Sequence, residues 1–522
     1  MKKAFVMVLV LWFGRATAAS NWFGITGSLG TYGEVYNMAG REARRDPATG
    51  RIYFRPVVTV LGMSFPFEVL VSTEETRFRQ PFNRFGISPR WKWATVHAGD
   101  FTPNLSPYTA RGIRLRGGGI ELKPGTFQFS FVGGRSQRAV PGRAYERNLW
   151  AIQFGVGRRG RTFWDVGLLW ASDDTSSVDS AAVPPQQNLV VASRLYLRLL
   201  RGKLSLGVEG AGSLHTRDMR SSSADSLVRE NIPERYLGLY ERVSKLFVPR
   251  LSTRADYAYK LKLGLRLRLG EFRAEYLRVG PGFVSLGVPY MGNDRKQVNL
   301  GLSLRPMRKL SLRLGYFGYR DNLKGEKTRT TSRRSLSSSL RIRPSSKLGL
   351  GLSLGWSGLV RGDSVRYRSF RCGADGWYRF QSLRLPQTLR VSYRFQKSDR
   401  HNGGYEVENF SLRWDVQAGR KVSGGTYLGV VNSGKLSYTS GFSLRHMAMK
   451  RRLSSSIGVN FRFGEGYTSV SSSLGSRFSI TPSDVLSFSL RRTDYFGSSY
   501  HETTASLSFD HRFRVTLPAK KK

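Results

Sequence analysis

Apolar and polar residues alternate with a period of two along nearly the whole chain. In 253–269 the odd positions are mostly tyrosine and leucine, whereas the even positions carry arginine, lysine and aspartate. The pattern recurs in 297–305, 347–357, 389–396 and 410–418. Successive side chains of a β-strand point to opposite faces, whereas a helix would scatter these positions around its axis. The sequence therefore predicts an all-β fold, with no amphipathic helix beyond the N-terminal segment.

The breaks between these runs alternate in length. Short turns are expected at 158–161, 201–203, 270–271, 306–309 and 344–347. Longer polar loops are expected at 137–147, 172–187, 216–251, 281–294 and 320–330. The strands between them are about 10–16 residues long, more than soluble sheets use and enough for a tilted strand to cross a bilayer. At about 20 residues per strand and connection, we expect a large antiparallel transmembrane β-barrel of about 22–26 strands, with short periplasmic turns and longer outer loops.

The N-terminus has the features of a secretory signal peptide. Lys2 and Lys3 precede an apolar run from Ala4 to Phe13, and Ala16–Ala18 fits a small-residue cleavage site. No later run of 18 apolar residues follows, which excludes a helical membrane protein. The predicted organisation is a signal peptide at 1–18, a barrel at 19–517 and a basic tail at 518–522.

On this pattern the chain resembles bacterial outer-membrane β-barrel proteins as a class. The resemblance implies a place in the Gram-negative outer membrane, delivery by the barrel-insertion machinery, and contact with outer-membrane lipid and lipopolysaccharide. Gly99, Asp100, Arg111 and Gly112 are locally similar to a phrase in fimbrial usher barrels, which adds secretion to the candidate functions. The last strand of the class commonly ends in an aromatic residue, whereas this one ends at Leu517.

The chain is strongly basic, with 84 Lys and Arg against 36 Asp and Glu and a formal net charge of +48. Such charge often indicates nucleic-acid binding, but an exported protein meets lipid phosphates and acidic glycans first, so no nucleic-acid partner is expected. A cation on the lipid face at mid-membrane would cost about 2–4 kcal/mol. Cations at polar-face positions are therefore predicted to face the lumen: Arg114, Arg116, Arg194, Arg198, Lys260, Lys262, Arg266, Arg268, Arg341, Arg343, Arg390 and Arg394.

These cations leave two interpretations open. Rings of arginine and lysine favour anions in a pore, so the lumen could pass an anionic solute or surface polymer. Acidic residues on neighbouring strands could instead neutralise the cations and leave an inert lumen. Basic residues near strand ends could also bind lipopolysaccharide phosphates.

Residues 98–118 interrupt the alternation with two prolines and an asparagine. If 84–98 is one strand, strand counting requires the following segment to change sides of the barrel. It would then cross the lumen as a constriction, with Asp100, Phe101, Asn104 and Tyr108 as its candidate residues, or it would conceal a short extra strand.

The sequence offers few candidates for a catalytic or metal-binding site. None of the six histidines lies in a hydrolase or zinc motif, and Cys372 is the single cysteine. We therefore expect no enzyme activity, cofactor or metal. The predicted function is an outer-membrane channel with a basic lumen, either porin-like or an export pore. The alternatives are a structural or assembly barrel that supports secretion or surface-polymer display and, less favoured, an outer-membrane hydrolase.

Overall fold

The computed structural model describes residues 21–60, 63–73, 83–158, 160–362, 365–400, 403–497 and 500–518. The predicted signal peptide at 1–18 and residues 519–522 of the predicted tail lie outside these ranges. Pro518, the first residue of the predicted tail, is the last residue of the final strand.

The described residues form 27 β-strands joined in one sheet. In chain order they are β1 (Asn21–Ala39), β2 (Ala48–Val60), β3 (Met63–Ser72), β4 (Arg84–Ile87), β5 (Arg90–Trp91), β6 (Ala94–Phe101), β7 (Leu115–Leu122), β8 (Phe127–Gln137), β9 (Glu146–Gly157), β10 (Phe163–Asp174), β11 (Gln187–Leu199), β12 (Leu204–Thr216), β13 (Thr253–Leu267), β14 (Gly270–Val279), β15 (Arg295–Met307), β16 (Leu310–Asp321), β17 (Thr331–Ile342), β18 (Leu348–Arg361), β19 (Val365–Ser382), β20 (Leu385–Arg400), β21 (Gly403–Ala418), β22 (Val422–Asn432), β23 (Leu436–Ala448), β24 (Leu453–Gly464), β25 (Tyr467–Ser479), β26 (Asp484–Phe496) and β27 (Tyr500–Pro518).

The sheet closes into a barrel because β1 pairs with both β2 and β27. Strands β4 and β5 each pair with β3 and with β6, so they are two pieces of one barrel position. The ring therefore has 26 positions, and the paired neighbours are antiparallel throughout. The prediction of a large all-β antiparallel barrel of about 22–26 strands is confirmed.

Two short helices depart from the all-strand expectation. They are α1 (Asp225–Asn231) and α2 (Leu237–Ser244), and both lie in the connection between β12 and β13. Each is only about two turns long, too short for the three- and four-residue spacing that identifies an amphipathic helix in a sequence. No helix in the described part of the chain is long and apolar enough to span a membrane.

The connections divide between the two ends of the barrel. At one end, the turn end, the fully described connections are 92–93, 123–126, 200–203, 268–269, 308–309, 343–347, 383–384, 419–421, 449–452 and 480–483. At the other end, the loop end, they are 40–47, 102–114, 138–145, 175–186, 217–252, 280–294, 322–330, 433–435 and 465–466. The long connections of the loop end all precede residue 331.

The expected change of sides after residue 98 is wrong. The segment 84–98 is not one strand, because the chain turns at Lys92 and Trp93 and returns as β6. The extra strand therefore begins within 84–98, and the segment after residue 101 conceals none. Lys92 adopts a left-handed φ of 45°. Since β6 and β7 are antiparallel neighbours, residues 102–114 leave and re-enter the sheet at the loop end.

The barrel wall has an apolar face and a charged face. Leu340, Leu352, Ala374, Tyr393, Phe410 and Val430 are paired in register across six neighbouring strands. Directly paired residues share a face of a sheet, and Leu352, Tyr393 and Phe410 are exposed. The face that carries this row is called the apolar face below, and the opposite one the charged face.

Ring closure can be tested by cross-linking β1 to β27. Val35 and Ala505 are directly paired, and Cα atoms of such pairs lie about 4.5–5.5 Å apart, within disulfide range. In a Cys372→Ser background, Val35→Cys with Ala505→Cys should form a disulfide and migrate faster on denaturing gels. Val35→Cys with Ser506→Cys is the control, because Ser506 points to the opposite face. Equal cross-linking of the two pairs would contradict the register.

Candidate functional site

On strands β10–β14 several cations of the charged face form ion pairs. Arg194 Nε donates to Asp165 Oδ1 at 2.9 Å, and both side chains are nearly buried. Lys260 Nζ lies 2.8 Å from Glu275 Oε1, and Lys262 pairs with Glu209. Buried charges persist in proteins when they are paired and hydrogen-bonded. Three of the predicted cations, Arg194, Lys260 and Lys262, therefore lie on the charged face, but each has an acidic partner.

Two loop-end connections fold over this ion-paired part of the wall. We name residues 102–114 segment A and residues 280–294 segment B. Arg111 N donates to Gly287 O at 3.2 Å and Ser285 Oγ to Thr109 O at 3.4 Å, so the two segments bind each other. Asn188 of β11 fixes segment B, because its Nδ2 donates to Val284 O at 3.0 Å and its Oδ1 accepts from Leu286 N at 2.9 Å.

An apolar cluster holds the two segments against the wall. It contains segment residues and charged-face residues of β6–β14: Phe101, Leu105, Tyr108, Ala110, Ile113, Leu115, Val132, Leu149, Ala151, Leu169, Ala171, Val190, Ala192, Ala211, Ala258, Val279, Phe283 and Leu286. Tyr108 and Phe283 meet edge to face at 6.1 Å between ring centroids. The many alanines on the wall leave room for the larger segment side chains.

The four candidate constriction residues occupy different environments. Phe101 stacks on His97 at 4.7 Å and is buried, and Tyr108 is 1% exposed in the apolar cluster. Asp100 pairs with Arg116 and accepts a hydrogen bond from Phe85 N at 2.9 Å. Asn104 is exposed and forms a β-bridge with Arg111. The structure brings Phe101 and Tyr108 together in one cluster but does not include Asn104 in it.

Burial perturbs two ionisable groups in segment A. It raises the pKa of the Tyr108 phenol, and the carboxylates of Glu209 and Glu275 raise it further. Burial also lowers the pKa of Arg114, assisted by the nearby positive charge of Arg84. Tyr108 is thus a neutral side chain held beside the ion-paired wall.

The charged face has a different character on strands β16–β20. Arg313, Arg371 and Arg394 line a hollow of about 530 Å³ together with Ser339, Ser353 and Gln396. None of the three arginines has an acidic partner within 4.0 Å among the residues that the structure describes. Arginines and hydroxyl groups around one hollow are the donors that bind small anions.

The remaining predicted cations lie along the wall or at its ends. Arg341 faces the charged side beside the arginine hollow, and Arg390 pairs with Asp415 at 3.3 Å. Arg198 and Arg266 lie near the turn end, whereas Arg268 and Arg343 belong to turns. Arg313 and Arg371 were not predicted, although each alternates with apolar residues in 310–316 and 368–374, which was the available signal.

A carboxylate joins segment B to the next connection of the loop end. Asp294, 3% exposed, accepts hydrogen bonds from Asn322 N at 3.2 Å and Leu323 N at 2.7 Å and pairs with Lys327 at 2.6 Å. Burial alone would raise the pKa of Asp294, but the Lys327 ammonium and these amides outweigh it and hold the pKa below 3.8. No group of three metal-ligating side chains occurs within the described ranges.

No protein-family model matches the chain, and no curated protein matches it. Among solved structures, the P pilus usher (PapC) translocation pore is 11% identical, with a TM-score of 0.42, over 94% of this chain and 99% of that one. OccAB4 from Acinetobacter baumannii is 11% identical, with a TM-score of 0.33, over 70% of this chain and 98% of that one. The outer membrane protein OpdK from Pseudomonas aeruginosa is 10% identical, with a TM-score of 0.34, over 63% of this chain and 94% of that one. The barrel itself is established by the strand pairing of this chain.

The Asp294 contacts predict a loss of loop order in acid. Because the folded pKa lies below the ordinary value of 3.8, the stabilisation is complete above about pH 4 and is lost as the pH falls through the folded pKa. Hydrogen exchange at the Asn322 and Leu323 amides should therefore be protected at about pH 5. The protection should decline as the pH falls below 3.8, by more than the intrinsic change in exchange rate explains.

The same contacts can be removed at neutral pH. Asp294→Asn should lower the local opening free energy of 322–330 by about 1.5–3 kcal/mol, because charge-assisted hydrogen bonds are lost. Trypsin should then cut after Lys324 at least about tenfold faster. Glu326→Gln, which changes an exposed acid of the same connection, should leave cleavage unchanged. Equal cleavage of all three proteins would contradict the role of Asp294.

Proposed function

We propose that the protein is a channel of the Gram-negative outer membrane with a cationic lumen. One observation carries this proposal: the wall closes on itself and exposes apolar side chains on one face and charged side chains on the other. Soluble monomers rarely expose apolar patches beyond a few hundred Å². A closed barrel with its apolar face toward lipid satisfies both faces.

The size of the apolar face fits a bilayer. Leu348 and Trp356 are the ends of a row of alternate apolar residues on β18. Eight residues of strand extend about 27 Å, or about 20 Å after a tilt of about 40°. Barrels in the outer membrane carry an apolar band of about 25 Å. In this orientation the long connections face the cell exterior and the short turns face the periplasm.

The proposed lumen is wide but partly filled. A circular ring of 26 strands spaced about 4.8 Å apart and tilted about 40° has a backbone diameter of about 50 Å. Segments A and B cover the part of the wall formed by β8–β14. The remaining opening would run along the arginine-bearing wall of β16–β20.

Anion preference follows from the uneven pairing of charge. The covered part of the wall holds Asp165, Glu209 and Glu275 next to its cations. The part proposed to be open holds Arg313, Arg371 and Arg394 around one hollow. A small anion or an acidic polymer would thus meet uncompensated guanidinium groups on its path.

Selectivity in planar bilayers tests the cationic lumen. The triple variant Arg313→Glu, Arg371→Glu, Arg394→Glu should change the reversal potential from anion-favouring to cation-favouring, because the wall charge reverses. Arg308→Glu, Lys309→Glu, Lys347→Glu makes the same charge change at the turn end, where salt screens it, and should cause a much smaller shift. A silent barrel that co-purifies with another protein would contradict the channel and favour the assembly role.

Conductance tests whether segments A and B narrow the opening. A Cβ atom added to Gly287 would lie 1.9 Å from Thr109 O and 2.4 Å from Leu169 Cδ1, so Gly287→Val should separate the two segments. We expect a larger single-channel conductance. Gly292→Val is the matched control, because its nearest contact would be Arg295 Nη1 at 3.5 Å. Equal conductance in both variants would show that the segments do not limit the pore.

A further inference from the structure

Six cations lie on the apolar face near the loop end, outside the site described above. We name them the basic belt: Arg278 on β14, Lys296 on β15, Arg320 on β16, Arg334 on β17, and Arg366 and Arg368 on β19. They share the face of Tyr276, Val298, Tyr316, Leu336 and Phe370, from which each is separated by an even number of residues along its strand. The guanidinium of Arg278 lies 5.6 Å from the ring centroid of Tyr257, itself exposed on the apolar face.

The belt brings like charges directly opposite one another. Arg278 pairs in register with Lys296, and Lys296 pairs with Arg320. One rung closer to the middle of the barrel, Arg334 and Arg368 are both register partners of Gly358. Like charges at directly paired positions destabilise a sheet. The arrangement is thus costly unless an anion lies over it.

Carboxylates of the protein do not neutralise the belt. Among the described residues, the belt cations have no acidic partner within 4.0 Å. The nearest acid by register is Asp399, opposite Arg368 at one end of the belt. On the next strands, by contrast, Lys397 pairs with Glu406 at 2.6 Å. Arg278 Nε is buried and has no hydrogen-bond partner among the described residues.

An apolar groove lies next to the belt, on the side toward the barrel middle. Its volume is about 390 Å³, and its lining includes Leu300, Tyr316, Leu336, Trp356 and Phe370. These five residues form one register row across β15–β19. The groove is thus open toward the apolar surroundings and ends at the cations.

Arg334 links the groove to the belt. It stands two residues from Leu336 and is flanked in register by Gly318 and Gly358, which carry no side chains. The Tyr316 hydroxyl and the Trp356 ring lie over these glycines, at 3.0 and 3.1 Å from the position of an added Cβ. A headgroup between the two rings could therefore reach the guanidinium.

We propose that the basic belt and the groove bind a phosphorylated membrane lipid, with phosphates on the belt and an acyl chain in the groove. The inference rests on the proposed membrane orientation, which puts the belt in the outer leaflet, where the lipid is a phosphorylated glycolipid. Six strands at about 4.8 Å spacing extend about 24 Å, enough for more than one phosphate. Arginine and lysine both bind phosphate through charge-assisted hydrogen bonds.

The apolar face lacks such cations at the other end of the same strands. Phe272, Leu304, Leu312, Leu340 and Leu348 occupy this face near the turn end. The belt is therefore specific to one leaflet rather than a general feature of strand ends.

The test uses the full mature protein in detergent and purified diphosphoryl lipid A, with binding followed by native mass spectrometry. Arg278→Gln, Lys296→Gln, Arg320→Gln should weaken binding by about tenfold or more, because several charge-assisted contacts are lost. Arg308→Gln, Lys309→Gln, Lys347→Gln removes the same charge from the turn end of neighbouring strands and should bind like wild type. Leu336→Asn should also weaken binding, through the groove.

Three results would overturn the inference: wild-type binding by the belt variant, equal loss in both triple variants, or equally tight binding of dephosphorylated lipid A. Conductance recorded on the same preparations separates this inference from the channel proposal. If the barrel shows no conductance but its lipid binding depends on the belt, the channel proposal is contradicted and the lipid site is supported.

Discussion

The pairing of β1 with β27 is the interaction on which the rest of the structure depends. It runs in antiparallel register from Asn21–Pro518 to Ala39–His501 and leaves the sheet without an edge. An open edge would expose unpaired backbone groups, which a bilayer does not tolerate. A ring whose neighbours are all antiparallel needs an even number of positions. This is why β4 and β5 must share one position, and 27 strands form a ring of 26.

The position of the long connections explains why the charged face is divided into two unlike parts. The long loop-end connections all lie before residue 331, so only that part of the wall has chain available to cover it. There the buried cations need carboxylates, and Arg194 has Asp165 at hydrogen-bond distance. Strands β16–β20 contribute no residue to the apolar cluster, so arginines such as Arg313 can stay hydrated without an acidic partner.

The period-two pattern was sufficient to predict the barrel, its approximate strand number, and which face Arg194, Lys260 and Arg394 share. It could not reveal the turn at Lys92–Trp93, since that turn contains neither glycine nor proline and the residues on both sides continue to alternate. Nor could it show that Asp165 neutralises Arg194, because that contact joins β10 to β11 and depends on register. Alternation along one strand shows which face of the sheet a side chain occupies. Its contact partners depend on the register between neighbouring strands, which alternation does not determine.

Consecutive arginines show most clearly how alternation and closure act together. Arg333 lies 5.9 Å from the ring of Phe317 on the charged face, so its neighbour Arg334 must point to the apolar face. At mid-membrane such a residue would cost about 2–4 kcal/mol, but the cost falls close to zero near the interface. The Arg333–Arg334 pair can therefore occur only near a strand end. In the proposed membrane orientation lipid phosphates would lie within reach at that depth, so the geometry that permits Arg334 on this face would also offer it an anionic partner.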